Sequence, residues 1–219
     1  MLVQIYEVQT PEEAATLARL GVDHIGVLVG DGVFPRELPA EWVRAIFAAT
    51  PPGASRVALS LSVNADQVAQ VIEQTRPDII HIAAAVELFS VENTRALKAA
   101  FPWVQIMRSI PIVDTASIDY AKAYEGIANF LLLDSHDPGD PQIGALGRTH
   151  DWSVSRRIVE EIGIPVILAG GLDADNVGAA IAAVRPAGVD SKTKTDRADG
   201  AGKDLDKVRK FVTAAKLTS

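Results

Sequence analysis

Along the chain, short runs of apolar residues alternate with stretches in which apolar positions recur at helical spacing. The runs fall at Leu2–Tyr6, His24–Val29, Arg56–Ser62, Ile79–Ala83, Val104–Ser109, Phe130–Asp134, Pro165–Ala169 and Gly188–Ser191. Between and after them the helical spacing predicts helices near 11–20, 40–49, 65–75, 90–100, 115–124, 152–162, 174–184 and 204–216. Local punctuation agrees. Thr10-Pro11-Glu12-Glu13 supplies an N-cap, a first-turn proline and a capping-box glutamate, and Gly21 ends that helix. Ser90 opens the fourth helix and Pro102 stops it, while Asp151 or Ser153 caps the sixth. Runs such as Phe130-Leu131-Leu132-Leu133 and Val166-Ile167-Leu168 are apolar at every position, as strands covered on both faces require.

Eight strands alternating with eight helices over 219 residues predict an α/β fold, a single-domain (β/α)8 barrel spanning 1–219. The competing open doubly wound sheet carries a glycine-rich phosphate loop after its first strand, and Tyr6-Glu7-Val8-Gln9 contains no glycine. The longest connection, 135–151, is rich in Pro and Gly, follows the sixth strand and reads as a lid.

Composition narrows the function classes. With no cysteine the chain excludes a disulfide scaffold, a thiolate metal site, an iron–sulfur cluster and a cysteine nucleophile. No apolar run approaches membrane-spanning length and no signal segment opens the chain, so a cytoplasmic protein with no membrane partner is expected. The net charge of −7 argues against nucleic acid as a partner. The charge is uneven, however: residues 185–219 hold nine Lys/Arg against five Asp/Glu, which suggests a small anion site within an acidic protein.

In such a barrel the chemistry lies at the C-terminal ends of the strands. Asp134 closes an apolar strand, a costly place for a carboxylate unless it faces a polar cavity, where partial burial suits it to general-acid work. Gly170-Gly171 sits between a strand and a helix and lets backbone amides approach an anion. One unit later Ser191-Lys192-Thr193-Lys194 ends the eighth strand, so these two loops form the candidate phosphate site. Gly144 and Gly147 mark the lid end nearest the sixth helix, and His136 on the lid is placed to bind substrate or serve as an acid or base. His81 reads as a satisfied interior residue. No two histidines sit at ligand spacing, so no metal is expected.

Phe130–Ser135, Gly144–Ser153, Pro165–Val177 and Val184–Asp190 together resemble the phosphoribosylanthranilate isomerase family of tryptophan biosynthesis, with its L-L-L-D, G-G-T-G-x-T-F-D-W, P-V-I-L-A-G-G-L and V-R-P-x-G-V-D segments. Thr10–Ala14, Gly21–Gly26 and Pro35-Arg36 match more loosely. The resemblance implies an Amadori rearrangement of a phosphorylated ribosylamine without cofactor or metal, by a monomer or homodimer. It implies that Asp134 is the acid acting on the furanose ring oxygen, that Arg36 helps hold the anthranilate carboxylate, and that Gly170, Gly171 and Ser191 to Lys194 hold the phosphate.

Three strand ends depart from the family pattern. Its K-I-C-G, whose cysteine is the general base taking the C2′ proton, stands against Gln4-Ile5-Tyr6-Glu7; its L-H-G against Ile82-Ala83-Ala84; and its S-S-G against Lys192-Thr193-Lys194. These departures point to an altered substrate or mechanism on the same fold. Among Tyr6 and Glu7, a phenol with a pKa near 10 is a poor base at neutral pH, so Tyr6 is expected to shape the pocket. Glu7 is the leading base, provided the strand bends at its end, since adjacent strand residues point to opposite faces. The alternatives are a phosphosugar aldolase or lyase with Lys192 as Schiff-base nucleophile, and a non-catalytic phosphometabolite-binding protein.

Overall fold

The computed structural model describes residues 1–144 and 146–218; Ala145, within the lid motif, and Ser219 lie outside the described residues. The strands are β1 (Leu2–Ile5), β2 (His24–Leu28), β3 (Ser55–Ser60), β4 (Ile79–Ile82), β5 (Gln105–Ile112), β6 (Phe130–Ser135), β7 (Val166–Leu168) and β8 (Gly188–Ser191). The helices that follow them are α1 (Pro11–Arg19), α2 (Ala40–Ala49), α3 (Ala65–Thr75), α4 (Val91–Ala100), α5 (Ser117–Ala123), α6 (Trp152–Glu161), α7 (Val177–Val184) and α8 (Leu205–Leu217). The strands pair in parallel in chain order, and β1 pairs with β8 to close the barrel.

Strand alternation divides the apolar residues into two bodies. Tyr6, Val57, Ile79, Met107, Leu132 and Ile167 fill the inside of the barrel. Val3, Ile5, Leu131, Leu133 and Leu168 face outward and merge with the inner faces of the helices into one continuous core. This explains why the strands are apolar at every position: each covers a core on both sides. Within the barrel a polar chain joins three strands. His24 Nδ1 lies 3.0 Å from Gln4 Oε1, and Gln4 Nε2 donates to Asp190 Oδ1 at 3.2 Å. Burial lowers the His24 pKa to about 4, so the ring is neutral.

The predicted caps form, with instructive exceptions. The side chains of Thr10, Ser90 and Asp151 accept from Glu13 N, Asn93 N and Ser153 N respectively. Glu13, however, does not close a capping box. Its carboxylate accepts from Gln9 N at 2.8 Å and from Lys203 N at 2.6 Å, tying the loop after β1 to the loop after β8. Helix α7 starts at Val177 rather than 174. The Asp173 carboxylate accepts from Asp175 N and Asn176 N, and the Asn176 side chain accepts from Asp173 N, which holds that tetrapeptide out of the helix. Strand β5 runs to Ile112, beyond the predicted Ser109, because Pro111 and Ile112 stay in register with Asp134 and Ser135. Among the described residues no helix is long and apolar enough to cross a membrane.

Candidate active site

At the C-terminal mouth of the barrel lies a cavity of about 250 Å³. Tyr6, Glu7, Arg36, Asp134, Asp190 and Lys192 all border it. A smaller recess between the loops after β7 and β8 shares Asp134, Asp190 and Lys192 with it, so the two form one site with two ends.

Tyr6 continues the inward alternation of β1. Its ring lies over Gly26, where a Cβ atom would stand 2.2 Å from Tyr6 Cδ1. The phenol is buried, which together with the charge of Asp190 pushes its pKa well above 10. It therefore shapes the cavity and is no base. Glu7 would point outward by simple alternation, but its backbone enters the left-handed region at φ 59, bending the chain and turning the carboxylate to the mouth. That conformation is costly for a residue with a Cβ, and such strain concentrates where function requires it. Arg36, its partner, is likewise left-handed at φ 70.

Five charged side chains from three loops interlock here. Glu7 Oε2 lies 3.1 Å from both Arg36 Nε and Lys192 Nζ. Arg36 Nη1 reaches Asp196 Oδ2 at 3.0 Å, and Nη2 donates to the Glu7 carbonyl at 3.1 Å. Lys203, whose side chain is wholly buried, donates to Asp196 Oδ1 at 2.6 Å and to the Lys192 carbonyl at 3.1 Å. Its partners offset the cost of burying the ammonium. The cations nearby, Lys203 first, hold the Asp196 carboxyl below the usual range against the opposing effect of burial. The Arg36 guanidinium is thus paired with two carboxylates of the protein itself, although its Nε makes no hydrogen bond to Glu7 Oε2.

On the far side Asp134 ends the inward face of β6. Its Oδ1 accepts from Ser135 N at 2.7 Å, so it also caps the turn that follows. The lid returns to it: Gly144 N donates to the Ser135 carbonyl, and a Cβ at Gly144 would stand 2.2 Å from Asp134 Oδ2. Asp190, on β8, is the second inward carboxyl. Burial, reinforced by the charge of Asp134, raises its pKa to about 8, so it holds its proton at neutral pH. Two carboxyl groups set in one cavity do not both ionise readily, so the Asp134–Asp190 pair retains a proton at neutral pH.

The recess is built from glycines. Gly170 and Gly171 adopt φ 91 and 61, and a Cβ on Gly171 would stand 2.7 Å from the Gly147 carbonyl oxygen. Asn176 Nδ2 donates to the Gly171 carbonyl and pins the turn. Thr193 and Lys194 border the recess, and Lys194 is exposed. The Ser191 hydroxyl donates to the Leu172 carbonyl at 2.7 Å, so its side chain braces the loop instead of facing a ligand.

His136 is not brought into the cavity. The chain leaves the sheet after Ser135 and carries the ring outward to a separate groove beside Pro111 and Tyr120, where Nδ1 lies 3.1 Å from the Gln142 carbonyl. Sequence reasoning missed Asp190, although its signal, a carboxylate within an apolar strand, is the one that picked out Asp134. Asp196 and Lys203 carried no such signal, because only folding brings the loop after β8 over β1. Among the described residues no cluster of three or more His, Asp or Glu is placed to hold a metal ion.

The family description N-(5'-phosphoribosyl)anthranilate (PRA) isomerase matches residues 3–214. The N-(5'-phosphoribosyl)anthranilate isomerase of Methanocella arvoryzae is 35% identical over 219 residues, covering 99% of this chain and 98% of that protein. The solved structure of the Pyrococcus furiosus isomerase is 27% identical, with a TM-score of 0.77 over 99% of both chains. The Thermus thermophilus isomerase, at 23% identity, shares the fold with a TM-score of 0.83 over the full length of both chains. The barrel, the order of its segments and the relatives agree: the chain belongs to the N-(5'-phosphoribosyl)anthranilate isomerase family.

Proposed function

We propose that the chain isomerises a phosphorylated ribosylamine from aldose to ketose, with Asp134 as general acid, Glu7 as general base and the glycine recess holding the phosphate. The observation that carries this reading is that Asp134 and Glu7 border one cavity whose other end is the recess. The proton retained by the Asp134–Asp190 pair passes through Asp134 to the furanose ring oxygen, which breaks the ring C–O bond and leaves an iminium at C1′. Glu7 then removes the C2′ proton, and the electron pair neutralises the iminium as an enolamine. Tautomerisation gives the 1-amino-2-ketose, so the sequence is an internal redox that needs no external electron acceptor. Asp190, protonated in the resting site, is the store of the proton that passes through Asp134.

The substrate differs from the family's at its nitrogen substituent. Arg36, which by family resemblance would grip the anthranilate carboxylate, is occupied by Glu7 and Asp196. A carboxylate there would have to displace two internal ones, whereas an uncharged substituent would not. The lyase alternative is not favoured: Lys192 is paired with Glu7 and Asp196, and the relatives are isomerases.

The test is turnover of N-(5-phosphoribosyl)aniline and N-(5-phosphoribosyl)anthranilate, each made in situ, by the protein and its Asp134→Asn and Glu7→Gln variants. The aniline compound is expected to be the better substrate. Each variant is expected to lose 10²–10⁴-fold in kcat, the usual contribution of a general acid or base, while still binding the reduced ketose product. Unchanged turnover in Asp134→Asn would overturn the acid assignment. Preference for the anthranilate compound would overturn the altered substrate.

A further inference from the structure

The floor of the cavity carries a second polar chain that the acid–base chemistry does not use. Tyr6 Oη lies 2.5 Å from His81 Nδ1, and His81 Nε2 lies 2.7 Å from Ser109 Oγ. Tyr6 follows β1 directly, His81 lies on β4 and Ser109 on β5; all border the cavity, and all are buried. None of the three borders the glycine recess, so Ser109 faces the part of the site away from the phosphate.

Counting protons gives this chain a direction. The Tyr6 phenol has one proton and two acceptors within reach, His81 Nδ1 at 2.5 Å and the Met107 thioether at 3.9 Å. A thioether accepts weakly, so the phenol donates to the imidazole. Burial, with the Arg108 charge adding to it, lowers the His81 pKa to about 3, so the ring is neutral. A neutral imidazole that accepts at Nδ1 carries its own proton on Nε2 and donates it to Ser109 Oγ. Ser109 therefore keeps its hydroxyl proton for a further acceptor, and none of the described residues provides one. A hydroxyl whose oxygen already accepts from the imidazole is held as a donor toward the cavity.

From this geometry we infer that Ser109 is a specificity-determining residue: Tyr6 and His81 lock its hydroxyl as a donor for an uncharged hydrogen-bond acceptor, such as a carbonyl oxygen, on the substituent of the substrate remote from its phosphate. Tyr6 and His81 act as positioning residues. The assignment deepens the isomerase reading, on which it rests only for the orientation of the ligand. It also agrees with a substrate end that carries no charge, since the donor is a neutral hydroxyl.

Two measurements test it. In the ligand-free protein, the nitrogen resonances of His81 are expected to report the Nε2–H tautomer at neutral pH; the Nδ1–H tautomer would reverse the chain and overturn the proposal. Second, calorimetry compares 1-deoxy-1-(phenylamino)ribitol 5-phosphate with its 2-, 3- and 4-carbamoylphenyl analogues. At least one carbamoyl isomer is expected to bind about tenfold tighter than the phenyl parent, the worth of one hydrogen bond. Ser109→Ala is expected to abolish that advantage and Ser109→Thr, which keeps the hydroxyl, to retain it. Tyr6→Phe is expected to weaken the advantage in the wild-type background and to add nothing to Ser109→Ala. Persistence of the advantage in Ser109→Ala, its absence from all isomers, or additive effects of the two substitutions would overturn the role of Ser109 while leaving the isomerase reading intact. Failure of the folded wild-type protein to bind even the phenyl parent would overturn both.

Discussion

Replacing Asp190 with asparagine should make the protein more stable, and increasingly so as the pH rises. The native carboxyl has a pKa of about 8 against an ordinary 3.8, because it is buried and lies near the charge of Asp134. Between about pH 4 and pH 8 the folded protein therefore binds one more proton at this position than the unfolded chain does. Stability falls with rising pH wherever the native state binds more protons. The slope for one proton is about 1.4 kcal/mol per pH unit. It vanishes below the unfolded pKa, where both states are protonated, and above the folded one, where both are ionised. Asparagine is uncharged at every pH, keeps an oxygen to accept from Gln4 Nε2, and replaces the carboxyl O–H with an N–H donor. The stability difference between Asp190→Asn and wild type should thus widen by roughly 4 kcal/mol from pH 5 to pH 8 and then level off. Guanidinium unfolding followed by tryptophan fluorescence, at constant ionic strength across pH 5–9, measures it. Titrations of groups that do not interact with Asp190 are common to both proteins and cancel in the difference. A difference that stays flat or shrinks with pH would refute the claim that Asp190 is a buried, protonated acid, and with it the reading that the Asp134–Asp190 pair retains a proton at neutral pH.

The glycines at the close approaches yield two further expectations. In Gly26→Ala the new methyl would overlap the Tyr6 ring, which is held in place by His81, so a loss of about 1–3 kcal/mol is expected in equilibrium unfolding; trimming the ring with Tyr6→Leu should recover part of it. Gly171→Ala forces a methyl against the Gly147 carbonyl and a side chain into φ +61, and opens the recess. Affinity for the phosphorylated phenyl probe should then drop at least tenfold by calorimetry while the far-ultraviolet circular dichroism is unchanged; retained affinity would place the phosphate elsewhere.

Much of this protein is written in short-range patterns. Strand–helix alternation determined the barrel, because a strand apolar at every position has to be covered on both faces and parallel neighbours need a connecting helix. The same logic located Asp134, a carboxylate ending such a strand, and the diglycine after β7, whose positive φ values only glycine adopts without strain. Tertiary structure decided the rest of the site. Glu7 reaches the cavity only because its backbone bends against the preference of its residue type, and that bend is held by Arg36 from one loop and Lys192 from another. Lys192 and Lys203, read in the sequence as part of a positive excess, turn out to hold carboxylates of the protein. His136, placed near the site by sequence position, is carried away by the turn after Ser135. Ion pairs and hydrogen bonds between residues up to 193 positions apart leave no periodic trace in a chain, since each depends on the distance and direction between groups that only the closed barrel brings together.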